Sequence, residues 1–459
     1  RSKVALEKTT DPPLSLSPTC SMLYAHCTPS IIARARKAIL QMSGTRTDVA
    51  ALVACCSATA FSDLTFALSA PFFPNAAAAH SLSPGTIGLI FATQPLCVMI
   101  GALGSPMVIE RAGPFVVLRM ATFAQSVFTL GFGLTDLLFT GRLPFLVACI
   151  MLRAAQGLAC GLTETSAASL AMRSVPEHRI TSAVGGVSAA RALGVVLGPP
   201  IGGVGFDRMG FVAPFALASG LLLFLALAML VLPVSPAGIL PSAQPNAPTW
   251  SLLKVAPVRV ALLCMWLVHC SITFLAPTLQ PFLAGSPFYM SSSFIGLSFM
   301  LCTFAFAITA ALGGVISDAI GHARQMMGGL AFIAAGYTII GPSPLLWRLF
   351  PPLEQSTGLA LLALCLASMG GGLAMVPASP LMVLGAMRAG FGSQESMDGV
   401  AALATLAGSF GGFCGSIVGG LFVEYMAFPA AAATFAALPI LLIPSLCPFR
   451  AKAPASQLV

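Results

Sequence analysis

The apolar positions of this chain come in long runs separated by short polar segments. A helix that crosses a bilayer needs about 20 mostly apolar residues. Twelve stretches qualify, near 49–73, 86–108, 117–138, 143–170, 181–206, 211–234, 257–285, 292–316, 326–344, 357–384, 398–422 and 428–447. Residues 1–48 are polar, proline-containing and aperiodic, and read as a disordered tail in which the basic segment Ile31 to Gln41 supplies orienting charge. The longest loop between spans, 235–256, divides the rest into 49–234 and 257–447, with 448–459 as a C-terminal tail. The pattern predicts an all-α integral membrane protein of two six-helix bundles.

Composition excludes the soluble alternatives. Only 8% of the 459 residues are charged and 57% are hydrophobic, against about 25% charged in an ordinary soluble domain. So few ionic groups cannot cover a water-facing surface, which excludes a cytosolic enzyme, a nucleic-acid binder and a secreted domain. The 44 glycines and 35 prolines punctuate apolar runs, as they do in membrane helices. The net charge of +8 forms no continuous basic face, so no nucleic-acid partner is expected. Seventeen of the 22 basic residues fall in the N-terminal segment or on one side of the membrane. Three (Arg142, Arg208, Arg348) fall on the other side, and two (Arg153, Arg191) lie inside spans. The bias places both termini in the cytoplasm. Most of the thirteen cysteines lie in apolar runs without CxxC spacing and read as packing residues; no disulfide framework or metal site is expected. The chain opens on Arg1, which reads as a processed or truncated product.

The halves repeat each other. Ala70-Pro71-x-x-Pro74 returns as Ala276-Pro277-x-x-x-Pro281, and Glu110-x-x-Gly113 as Asp318-x-x-Gly321. Gly157-Leu158-Ala159 returns as Gly372-Leu373-Ala374. Gly198, Gly202, Gly203, Asp207, Met209 and Phe211 return as Gly415, Gly419, Gly420, Glu424, Met426 and Phe428, all 217 residues later. Parallel repeats of this kind build carriers with a two-fold axis along the membrane normal, which work by rocking one half against the other around a central site.

The fifth span contains Gly185-x8-Gly194-x3-Gly198-Pro199-x2-Gly202-Gly203, a glycine face that admits another helix backbone closely. Its spacing resembles the antiporter motif of drug/proton exchangers of the major facilitator superfamily. Arg153-x-x-Gln156-Gly157 in the fourth span looks like that family's second motif, whose arginine is implicated in proton coupling. Gly314-x-x-x-Asp318-x-x-Gly321-x-x-Arg324 resembles the cytoplasmic loop motif, in which a carboxylate and basic groups form a latch. The first-half copy, with Glu110, Arg111 and Gly113, has Pro106 in place of the first glycine. Within the superfamily, Phe66 to Pro74, Leu197 to Gly203 and Ala276 to Leu279 are most similar to the vesicular amine and polyamine transporters. This resemblance implies the major facilitator fold and exchange of protons for a cationic amine across a vesicle or plasma membrane. The residue before the seventh-span proline, usually acidic in that group, is Ala276; the first-span acid of the monoamine carriers would align with Ser62, one position before Asp63.

An ionised side chain at the bilayer centre costs at least ~2.5 kcal/mol, so such groups face a cavity or a partner. The candidates are Asp63, Arg153, Glu164, Arg191 and His269, with Gln156 and Gln280 as polar neighbours. Asp63 reads as the substrate or proton carboxylate. Glu164 and Arg191 lie 13 residues before and 14 after the turn near Glu177, so on antiparallel helices rising 1.5 Å per residue they sit at nearly one depth and are expected to pair. Gln94-Pro95 reads as a proline kink with a solvated glutamine. No HExxH, Walker or GxSxG motif is present, so neither an enzyme nor a cofactor is expected. The expected energy source is a proton gradient and the expected state a monomer; a facilitator or symporter of a neutral or anionic metabolite is the alternative.

Overall fold

A computed structural model describes residues 46–232, 249–340, 356–391 and 393–449. Lipid offers no hydrogen-bond partner to a backbone, so apolar runs must satisfy their own N–H and C=O groups as helices. In the first half the helices are α1 (Arg46–Ala67), α2 (Phe73–Ala79), α3 (Pro84–Ala112), α4 (Pro114–Leu138), α5 (Arg142–Arg173), α6 (Ile180–Met209) and α7 (Val212–Val231). In the second they are α8 (Ala256–Ala284), α9 (Ser292–Ile320), α10 (His322–Ile339), α11 (Thr357–Met375), α12 (Ala378–Arg388), α13 (Ser393–Tyr425), α14 (Phe428–Phe435) and α15 (Ala437–Leu446).

Proline explains two departures from the expected boundaries. The first span stops at Ala67 instead of reaching residue 73. Pro71 lacks an N–H, and the helix restarts as α2 with Pro74 in its first turn, where no N–H is needed. The tenth stretch, expected as one helix over 357–384, breaks at Val376-Pro377 into α11 and α12. The twelfth is also divided, at Ala436. Among the described residues, eleven segments are long and apolar enough to cross a membrane. The remaining expected span is represented by α10, whose start carries His322, Arg324 and Gln325; residues 341–344 of that stretch lie outside the described residues. The tail up to residue 45, its basic segment, residues 233–248 and residues 450–459 also lie outside them. The loop expected over 235–256 ends in a 3-10 turn, Thr249–Lys254, before α8 begins.

Each half has its own core. Phe72, Phe73, Phe132 and Phe215 pack together in the first, and Phe274, Tyr337 and Phe435 in the second. The repeat seen in the sequence is a repeat of packing. Helix α1 lies on α6 as α8 lies on α13; α3 on α5 as α9 on α11; α4 on α5 as α10 on α11. Gly113 and Gly321, equivalent in the repeat, join consecutive helices with φ of +80° and +92°, a conformation that β-carbon sterics make costly for other residues.

The halves meet through α3 against α13 and α6 against α9, a pairing that is itself two-fold related. Among the described residues, their closest backbone approaches lie towards one end. There a Cβ at Gly88 would overlap α13 at Gly420, and one at Gly203 would overlap Ser292. Ser83 and Ser291 are the N-caps of α3 and α9. Glu424, at the end of α13, accepts from Gly85 N–H at 2.8 Å and from Ser83 Oγ at 3.1 Å. Asp207, at the end of α6, accepts from Ser293 N–H at 2.7 Å and from Ser293 Oγ at 2.6 Å. A carboxylate at a helix N-terminus meets free N–H groups and the positive end of the dipole, so both contacts clamp one half to the other. The Asn75 N–H donates to Gln280 Oε1 at 2.9 Å and adds a fifth hydrogen bond across the halves. At the opposite end, a Cβ on Gly104, Gly185, Gly186 or Gly314 would meet nothing within 4 Å, which leaves that end open around these helix positions.

Candidate functional site

The first-half wall of the central cleft is built by α1, α3, α5 and α6. Asp63 on α1 is buried and Glu164 on α5 partly buried, with side chains 10% and 11% exposed, and both turn towards Arg191 on α6. Arg191 donates from Nε to Asp63 Oδ2 at 2.8 Å and from Nη2 to Glu164 Oε1 at 2.7 Å. The equal depth of Glu164 and Arg191 on antiparallel helices thus places them in contact. Sequence reasoning did not give Asp63 as the second partner, because the facing of α1 relative to α6 depends on the glycine seam. That seam sets the approach: a Cβ on Gly194 or Gly198 would run into the α1 backbone at Ala60 or Leu64, and one on Gly202 into the backbone of Leu68 just after α1. Pro199 in the same seam packs its carbonyl where a Cβ on Gly296 of α9 would lie.

The triad lines a cavity of about 310 Å³ between the halves. Gln94, Pro95, Cys160 and Phe66 continue the first-half wall; Met265, His269, Thr273, Met375, Thr405 and Ser409 form much of the opposite wall. His269 donates from Nδ1 to the Met265 carbonyl at 2.9 Å, and its ring packs beside Gly408. Asp63, Cys160 and Glu164 bring donor atoms within 4.8 Å of one another, but the guanidinium already serves both carboxylates. With both carboxylates ionised, the cavity holds two carboxylates and one guanidinium, a formal net charge of one negative, inside an apolar bundle. Such a site attracts a small cation or a proton.

Ser62 faces elsewhere: its hydroxyl donates to Gln125 Oε1 at 2.9 Å. The neighbouring position, Asp63, is the one that reaches the cavity.

Arg153 does not line the cavity. It is 2% exposed and donates to Gln94 Oε1 at 2.6 Å, Ser69 Oγ at 2.6 Å and Gln156 Oε1 at 3.4 Å, with its guanidinium 4.1 Å from the Phe132 ring centre. No carboxylate is among these partners. Gln94 is correspondingly not the solvated residue expected beside Pro95; it is 1% exposed, fixed by Arg153, and its Nε2 has no protein partner while the residue lines the cavity. Gln156 donates to Thr129 Oγ1 at 3.2 Å and stays behind the wall. Gln280 also lies outside the cavity lining, in the closed end beside Asn75. Glu110, Arg111, Asp318 and Arg324 are exposed at the open end and form no ion pair with one another in this conformation. The polar closure is instead at the far end, through Asp207 and Glu424, which the sequence marked only as repeat positions.

Two like-built helical halves around a charged membrane cleft define a transporter. Residues 55–397 match the Major Facilitator Superfamily, and the chain belongs to that superfamily. It is 28% identical over 382 residues to the MFS-type transporter SLC18B1 of Rattus norvegicus, covering 81% of this chain and 79% of the relative. It is 23% identical over 379 residues to the synaptic vesicular amine transporter of Homo sapiens, covering 81% and 68%. Among solved structures it is similar to a bacterial homologue of the human lysosomal transporter Spinster in an inward-facing, unoccupied conformation, with a TM-score of 0.68, 14% identity and coverage of 90% and 100%.

Proposed function

We propose that this protein is a proton-coupled antiporter of a small organic cation, working by alternating access. The observation that carries the reading is the single negative charge left when Arg191 is shared between Asp63 and Glu164 in the interhalf cavity. The amine in the names of two groups of relatives agrees with it. With the termini in the cytoplasm, the open end faces the cytoplasm and the Asp207–Glu424 end faces the lumen or the outside.

A cation entering from the cytoplasm neutralises the spare carboxylate charge and is held among Phe66, Met265 and Met375, with the hydroxyls of Thr405 and Ser409 beside it for polar groups. Rocking then separates the Asp207 and Glu424 clamps and closes the opposite end, where Gly185, Gly186 and Gly314 leave room for helices to approach. In an acidic compartment a proton replaces the cation on the same charge, and the protonated carrier returns. Because cation and proton compete for overlapping charge, their binding is coupled and each lowers the other's affinity. A neutral or anionic metabolite is disfavoured: Arg153 is behind Gln94, and Arg191 is already neutralised.

The test is uptake into proteoliposomes with an acidic interior, using amines, quaternary ammonium drugs and organic anions. The reading expects cations to accumulate above equilibrium and to leak back when the gradient is collapsed. Gradient-independent equilibration of neutral or anionic solutes would establish the facilitator instead.

A further inference from the structure

We infer that Arg191 sets the valence of the substrate: by occupying one charge of the acidic pair, it makes the site select monovalent over divalent organic cations. The inference rests on the reading of the cavity as a cation site and names which cations it admits.

The three charged groups come from three helices of one half, α1, α5 and α6, so the triad moves as a unit when the halves rock. Its guanidinium is fixed by separate bonds from Nε and Nη2, one to each carboxylate. A planar, permanently charged fork held in this way is poorly replaced by a flexible ammonium. Asp63 and Glu164 are the only acidic residues that line the cavity among the described residues. The facing wall supplies Met265, Met375, Thr273, Thr405, Ser409 and His269, with no third carboxylate. A monovalent cation can meet the spare charge without disturbing Arg191. Arg191 is 41% exposed in this open conformation, so the penalty falls when the halves close over the site. There the second charge of a dication must either remain uncompensated in an apolar bundle or expel the guanidinium, leaving that charge unpaired, and both outcomes are costly at low dielectric.

The experiment uses permanently charged probes, so that neither protonation nor passive permeation confuses valence: trimethylpentylammonium and pentane-1,5-bis(trimethylammonium). Uptake of each is measured in proteoliposomes for wild type, R191Q, E164Q and the charge-balanced pair E164Q/R191Q. Wild type is expected to favour the monovalent probe by about tenfold or more, and R191Q to reverse the preference by a similar factor, as one full charge at contact distance warrants. E164Q should lose uptake of both probes, and E164Q/R191Q should regain the monovalent preference. The last two variants decide the matter even if R191Q does not fold. Equal handling of both probes by wild type, an unchanged ratio in R191Q, or no rescue in the pair would overturn the role of Arg191. Failure of wild type to take up any cation would instead overturn the cation reading itself.

Discussion

Asp207 and Glu424 occupy equivalent places in the two halves, and each accepts hydrogen bonds from the start of a helix in the other half. Hydrogen bonds to a charged group contribute about 1.5–3 kcal/mol each. D207N and E424Q should therefore each shift the conformational balance about tenfold or more towards the state open at that end. Alkylation of A276C by an impermeant maleimide, added from the Asp207 side in a cysteine-depleted background, reads the shift. An unchanged rate in both variants would show that the clamps do not hold the closed end.

The fifth-span glycines divide into two groups with different consequences. Gly202 lies against the Leu68 carbonyl, so G202A forces α6 and α1 apart and should cost on the order of 1–3 kcal/mol as overpacking. Gly185 has open space around a Cβ, so G185A should leave thermal stability unchanged. Its effect, if the helices close there during transport, is a reduced turnover rate. Thermal melts of the purified variants, set beside uptake rates, check both statements.

Arg153 is a buried cation held by neutral partners and an aromatic face. R153A strands Gln94 Oε1 and removes packing against Phe132, and is expected to destabilise by about 1–3 kcal/mol. R153K keeps the charge but cannot reproduce the forked bonds to Gln94 and Ser69, so its melting temperature should fall between those of wild type and R153A. Equal melting temperatures for wild type and R153K would mean that charge alone matters here.

Much of this architecture was legible because a bilayer permits few backbone solutions. The apolar runs gave the spans, and the offsets between Gly198 and Gly415 or Asp207 and Glu424 gave the duplication. The equal depth of Glu164 and Arg191 followed from helix rise and antiparallel direction, and the contact expected from it depends in addition on both side chains facing each other. What the sequence hid depends on rotation about helix axes and on conformation. Asp63 joining Arg191, and Arg153 turning to Gln94, are set by which face of each helix meets its neighbour. Gln280 sits at the closed end because the cleft opens from the other side in this conformation. For the same reason the loop residues Asp318 and Arg324 stand apart. The break after Ala67 was foreshadowed by Pro71 and Pro74, but membrane helices tolerate proline often enough that no boundary followed.

The central claim is that cation and proton compete for the carboxylates of Asp63 and Glu164, and it can be measured without transport. Adding trimethylpentylammonium to purified, weakly buffered protein with a pH indicator should release protons in wild type and none in D63N/E164Q. Saturable binding of the cation to wild type with no proton release at any pH at which the protein stays folded would contradict the account.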